Sequence, residues 1–333
     1  MKHITRLLAL LLLLCSVTAA CAQEPLAQWP WDQSAPNQIV HAGPWWYAAT
    51  GLYGSPNASL AIGPSPDALR QVYASQGSIW GMLRATETHA AWVECLNGTF
   101  SWMLHTRETG ETIAVYTEAM TDERPCFFVG LDEADLYYVR HADNRIEVVR
   151  RHLADGTETV LPTPHDAIIT SLSLDDGEVT IACELMDGMY LIRLDSVTGE
   201  EIAREALPED VDYVFCAGYV PRYRAYAVYL ASETEGEALG FCQNGQLSIV
   251  LTIGANSYAY HDYVLMADGH LIATMKIERS GAVADNFITL DIDLIGREMT
   301  EYEGAVSFTV DDGRLLLLTL DPDNDRILLE QAW

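Results

Sequence analysis

The side chains with chemical reach in this chain are acids and scattered histidines. His165-Asp166 and His261-Asp262 each set an imidazole beside a carboxylate, the pairing a general base uses. Asp321-Pro-Asp323-Asn-Asp325 has acids at alternate positions, as the opening of a calcium loop does. Its sixth position is Arg326, where such a loop turns on Gly, and no Glu stands at the twelfth. That leaves a polar hairpin tip as the main reading and calcium as the weaker one. Gly-x-Ser-x-Gly, phosphate-loop and His-Glu-x-x-His patterns are missing. No catalytic residue, metal ligand or cofactor is therefore assigned, and an enzyme is the less favoured outcome.

The cysteines point the same way. Beyond Cys15 and Cys21 stand Cys95, Cys126, Cys183, Cys216 and Cys242, an odd number without a Cys-x-x-Cys spacing. Neither a disulfide framework nor a zinc site is expected. Most of them lie in apolar strand patterns, where a free thiol serves as a small buried hydrophobe.

These residues must be carried by a scaffold, and the scaffold repeats. Leu172-Ser-Leu-Asp-Asp-Gly-Glu-Val-Thr-Ile-Ala182, Tyr263-Val-Leu-Met-Ala-Asp-Gly-His-Leu-Ile-Ala273 and Phe308-Thr-Val-Asp-Asp-Gly-Arg-Leu-Leu-Leu-Leu-Thr-Leu320 share one figure: strand, Asp-Gly turn, strand. Aligned on the first apolar residue of the second strand, the units start at Trp46, Ala91, Leu136, Val179, Ala225, Leu271 and Leu315, in steps of 43–46 residues. That is the period of a four-stranded propeller blade. The fold class is therefore all-β, a seven-bladed β-propeller of four-stranded blades spanning residues 38–333, with six blades as the alternative. Second strands such as Val179–Cys183 and Leu315–Thr319 are apolar nearly throughout, as strands covered on both faces should be. Unit seven ends after three strands, so part of Glu24–Ser34 is expected to supply its fourth.

In a propeller the connections from fourth to first strand and from second to third share one face. Here that mouth holds Asp122, Asp166, Asp187, Glu209, Asp210 and Asp212, with His165 and His261 near it. Asp122, Asp166, Asp210, Asp212, His165 and His261 form the candidate acidic mouth, suited to a cation or basic peptide; a solvated rim of turn residues is the plainer reading. The formal charge of −29 denies the chain the electrostatic footprint of a nucleic-acid binder. Trp29, Trp31, Trp45 and Trp46 cluster ahead of the second unit, either as packing or as a glycan platform.

Residues 1–20 read as a secretory leader: Lys2, His3 and Arg6, the apolar block Leu7–Leu14, then small residues. Val17-Thr-Ala-Ala-Cys21 resembles the lipobox of bacterial lipoproteins, although Thr18 replaces the usual Leu. The resemblance implies lipidation at Cys21, with residues 21–37 as a tether and a lipid-anchored, extracytoplasmic location at the cell membrane. Ordinary cleavage beside Ala20-Cys-Ala22, giving a secreted protein, is the alternative. The Asp-Gly hairpins resemble the repeat of TolB-type and other WD40-like propellers, with the proline of that repeat lost. Ser173-x-Asp175-x-Gly177 also resembles the aspartate box of sialidase-like propellers, but Thr180 stands where the closing aromatic belongs. Together these imply a non-catalytic ligand- or protein-binding module whose partner is a protein, basic peptide or glycan. The alternative is a propeller hydrolase acting on surface glycans or peptides.

Overall fold

The computed structural model describes residues 25–30, 35–51, 56–119, 129–142, 145–175, 177–232, 236–252, 257–265, 270–277, 287–293, 298–311, 313–321 and 323–332, with backbone alone at 216, 257–265 and 275–277. It is a seven-bladed β-propeller of four-stranded antiparallel blades. A lone N-terminal strand, β1 (Ala27–Pro30), precedes blade one, β2–β5 (Gln38–Ala42, Trp45–Thr50, Ser59–Gly63, Arg70–Ala74). Blade two is β6–β9 (Ser78–Ala85, His89–Leu96, Thr99–Thr106, Glu111–Ala119) and blade three β10–β13 (Val129–Leu131, Asp135–Ala142, Arg145–His152, Glu158–Leu161). Blade four is β14–β17 (Ile168–Asp175, Glu178–Leu185, Gly188–Asp195, Glu201–Ala206) and blade five β18–β21 (Val211–Val220, Ala225–Ser232, Gly236–Gln243, Gln246–Thr252). Blade six is β22–β25 (Ser257–Leu265, His270–Ile277, Phe287–Asp293, Glu298–Glu303); β26–β28 (Ala305–Asp311, Arg314–Asp321, Arg326–Gln331) begin blade seven.

Each unit start read from the sequence falls within the second strand of its blade. The Asp-Gly turns work because Gly accepts a left-handed backbone: φ is +77° at Gly177 and +76° at Gly313. Asn97-Gly98 and Asn244-Gly245 supply two consecutive residues of positive φ, as a tight two-residue hairpin turn requires.

The core is divided among the blade interfaces. Period-two alternation sends successive side chains of one strand to opposite neighbours. From β27, Leu316, Leu318 and Leu320 pack toward blade one, whereas Leu315 and Leu317 pack toward blade six. From β15, Val179, Ile181 and Cys183 face blade three, and Ala182 faces blade five. Val179–Cys183 and Leu315–Leu318 are buried throughout, covered on both faces, which is why they read as unbroken apolar runs.

The ring closes through the N-terminus. β1 pairs antiparallel with β28, Ala27 opposite Leu329 and Pro30 opposite Arg326, as the outermost strand of blade seven. Ala27 and Leu329 are buried with Trp46 and Leu318, and Trp29 packs on the same cluster. Trp46 also stacks on His41 with ring centroids 4.3 Å apart, and the Arg107 guanidinium lies 4.5 Å over the Trp45 ring. These three tryptophans are spent on packing and closure; Trp31 lies outside the described residues.

Irregular pairing occurs at the outer edge of four blades, in β4–β5, β8–β9, β16–β17 and β20–β21, and in five innermost strands as well. Register shifts interrupt the pairing of β6, β14, β18, β22 and β26 with their neighbours. A bulge frees backbone groups that must find other partners. In β6 the partner comes from blade one: buried Gln38 donates from Nε2 to the Gly81 carbonyl at 3.0 Å and accepts from the Leu83 amide at 2.5 Å. In β18 the Ala217 amide donates to Ser171 Oγ of blade four at 3.0 Å.

Candidate functional site at the loop face

The mouth of blades four and five assembles itself from strand ends. Ile168 opposite Glu184 in the β14–β15 pairing sets residues 165–167 beside the Met186-Asp187 turn. β18 packs alongside β14, so Asp210 and Asp212, at its entry, stand on the adjoining part of the same rim. His165 Nδ1 and Asp166 Oδ1 are 2.7 Å apart, with side chains 66% and 72% exposed. Asp187 accepts from the Tyr190 hydroxyl at 2.9 Å.

Four of the six expected mouth residues, His165, Asp166, Asp210 and Asp212, thus occupy neighbouring positions. Asp122 lies outside the described residues. His261 belongs to the irregular middle of β22, within the innermost strand and not in a connection, and its side chain is outside what is described. Two residues of this rim were not singled out as candidates. Met186 is 97% exposed and Ile168 is 52% exposed, an apolar pair among carboxylates. Met186 had a readable signal, since an apolar residue inside an Asp-Gly turn has no geometric purpose there. Ile168 had none, because an apolar residue opening a strand is ordinary.

No Lys or Arg occurs in residues 162–168, 184–187 or 207–212. Glu184, Asp166, Asp187, Glu209 and Asp212 are exposed in these segments. Met186 and Ile168 are thus exposed beside segments whose Asp, Glu, Lys and Arg are all acidic.

Other titratable pairs are distributed around the ring. His141 and Glu118 approach to 2.6 Å between blades two and three, on the mouth side. On the opposite face, buried Asp135 takes Arg150 at 2.7 Å and His152 at 3.1 Å within blade three. Asp311 holds His41 across the junction of blades seven and one at 2.5 Å, and Arg314 as well; His270 and Asp291 pair at 2.6 Å in blade six. The hydrogen bond from Arg150 to Asp135 raises the guanidinium pKa, a mark of structural pairing. Burial pushes the thiols of Cys183 and Cys242 up to about 12, the latter helped by its contact with Glu205, so neither is a thiolate nucleophile at neutral pH.

Asp321–Asp325 closes the β27–β28 hairpin. Asn324 bonds back to Asp321 through Nδ2 at 2.8 Å, and Asp325 takes the left-handed conformation at φ +51°. Among the described residues no group of three or more His, Cys, Asp or Glu is placed to hold a metal ion. The Ser173–Gly177 segment is a first-to-second-strand turn, and no helix among the described residues is long and apolar enough to cross a membrane.

Blade number, strand order and hairpin geometry define the chain as a WD40-like β-propeller. No protein-family model and no curated protein sequence matches it. Solved structures do share the fold. A chain of the mitotic checkpoint complex is similar at a TM-score of 0.58 and 10% identity, over 93% of this chain and 92% of that one. The β-propeller domain of Myceliophteria thermophila Cps50 (Swd1) is similar at 0.58 and 11% identity, over 92% and 100%. Puromycin hydrolase is similar at 0.55 and 12% identity, over 87% of this chain and 51% of that chain. At these identities the likeness is one of fold, and it spans a chain of a checkpoint complex and a hydrolase alike.

Proposed function

We propose that the protein is a non-catalytic binding module, held at the extracytoplasmic face of the cell membrane by lipid on Cys21, that docks a partner protein on the mouth of blades four and five. The observation that carries the binding role is the exposure of Met186 and Ile168 beside the acidic segments 162–168, 184–187 and 207–212, which contain no Lys or Arg. An exposed apolar anchor ringed by polar groups is the anatomy of a protein interface. Hydrolysis needs acid, base and nucleophile converging on one point. Here the His–carboxylate pairs are spread over several blades and both faces, which favours binding over the hydrolase reading. The mitotic checkpoint neighbour is, by its description, a component of a protein complex, and this supports the same reading. The WD40-like likeness extends in this proposal to the TolB-type repeat, whose Asp-Gly hairpins the chain retains.

The experiment is capture from host membranes with the tethered chain, comparing wild type with Ile168→Asp/Met186→Asp. Loss of the captured protein by at least tenfold in the variant, with an unchanged melting temperature, is expected. Undiminished capture by the variant refutes the docking face. Cys21→Ser tests the anchor: release into the medium is expected, and retention at the membrane counts against lipidation.

A further inference from the structure

The sequence contains two Asn-Gly pairs, Asn97-Gly98 and Asn244-Gly245, and both sit at hairpin tips. Leu96 is opposite Thr99 and Gln243 opposite Gln246, so each pair is the whole of a two-residue loop. The two loops have nearly the same backbone: φ is +52° at both asparagines, +75° at Gly98 and +71° at Gly245. All four residues are exposed. Asn-Gly is the dipeptide in which a chain most readily attacks itself, because a following residue without Cβ lets its backbone nitrogen approach the asparagine Cγ. Conformation and sequence give the two pairs the same chemistry.

Their surroundings differ. The second tip is tied to blade four, where the Gly245 amide donates to Oε1 of half-buried Glu205 at 2.7 Å. Cys242 Sγ reaches the same oxygen at 3.2 Å, and Gln243 donates from Nε2 to the Tyr223 carbonyl at 2.8 Å. The first tip has no such anchor. Among the described residues neither Asn97 nor Gly98 makes a side-chain or loop hydrogen bond, and a Cβ placed on Gly98 would meet nothing within 4 Å. The anchor matters because the attacking nitrogen must first lose its proton. A carboxylate that accepts a hydrogen bond from that N–H favours the protonated form and repels the anion.

We propose that Asn97 is a site of spontaneous deamidation and that Glu205 protects Asn244 from the same reaction. The Gly98 nitrogen attacks Cγ of Asn97, its proton passing through water to Nδ2. The new N–Cγ bond closes a succinimide as the Cγ–Nδ2 bond breaks and ammonia leaves. Water then opens the ring at either carbonyl, giving aspartate or isoaspartate. One ammonia is lost and one water gained, with no change of oxidation state. Each tip must open transiently to bring nitrogen to Cγ, and both share that demand, so the difference between them rests on Glu205. The product sets a new carboxylate on the mouth face of blade two, and isoaspartate lengthens the main chain of that turn by one methylene. The reaction does not depend on docking at Met186 and Ile168.

The test is peptide mapping by mass spectrometry of the purified full chain aged at mildly alkaline pH, reading the one-dalton gain at each asparagine. Folded wild type is expected to convert Asn97 at least fivefold faster than Asn244. The chain held unfolded in guanidinium chloride is expected to convert the two within twofold of each other. Glu205→Ala is expected to raise the Asn244 rate at least threefold and to leave Asn97 unchanged. Asn244 converting as fast as Asn97 in folded wild type, which would make Glu205 a base and not a guard, overturns the proposal. So does an Asn97 that gains no mass in the folded chain, a rate gap of the same size in the unfolded chain, or an Asn244 rate indifferent to Glu205→Ala. If the variant melts early, hydrogen exchange of wild type decides: the Gly245 amide is expected to exchange at least tenfold more slowly than that of Gly98, and equal exchange overturns the protection.

Discussion

Single side chains in this protein do most of their work between blades. Gln38 is the clearest case, since one buried amide satisfies both a carbonyl and an amide that the β6 bulge leaves free. Replacing it by Leu conserves apolar fit and orphans both groups. Each buried unsatisfied group costs about 1–3 kcal/mol, so Gln38→Leu is expected to lower unfolding stability by several kcal/mol, measured by denaturant titration. A loss below about 1 kcal/mol would show that the bulge reorganises to find other partners. Nothing in the sequence marks Gln38 for this role: a polar residue at a strand start is unremarkable until the facing strand and its bulge are known. The acids Asp166, Asp210 and Asp212 were legible because connections could be located from the repeat. Met186 and Ile168 became a surface feature only when their exposure was known.

At the level of elements, the chain's last blade depends on its first strand. β1 contributes only four residues, but it covers the edge of β28 and places Ala27 in the core shared by blades seven and one. Ala27→Asp puts an unpaired carboxylate where the side chain is 6% exposed. The expected result is a melting temperature lower by several degrees together with increased light scattering, since an unprotected sheet edge pairs with other chains. An unchanged melting temperature would mean that β1 adds little to closure. The missing fourth strand of blade seven was legible by subtraction, because the repeat ran out one strand short. The bulges in the innermost strands were not, since a register shift depends on the neighbouring strand's backbone as much as on local residues.

For the molecule as a whole, the ring buries several groups whose protons are lost only at high pH. Burial pushes Cys183, Tyr47 and Tyr226 up to about 12; Tyr73 reaches about 12 through burial and the neighbouring Glu94. In the unfolded chain the same groups titrate near about 8.5 for Cys and 10 for Tyr. A raised pKa means that the folded state holds its protons longer than the unfolded state. The associated stability is complete below the unfolded values and falls as pH rises toward about 12. Thermal unfolding should therefore show a melting temperature that declines from about pH 9 upward, accompanied by tyrosinate absorbance appearing with unfolding and not before it. Tyrosinate absorbance in the still-folded protein with midpoints near pH 10 would contradict these assignments.

The sequence by itself determined the blade. Strand period, turn residues and the repeat of 43–46 residues are local properties, written in side-chain alternation and in the φ that Gly and Asn permit. It also determined the net charge of −29. Tertiary structure decided what lies between blades: which face of each strand meets which neighbour, where Gln38 and Ser171 mend the inner strands, and how Glu205 comes to hold the Gly245 amide. Those contacts join residues roughly one repeat or more apart, and their formation rests on the twist and closure of the whole ring. A site made from two blades is invisible in either blade alone.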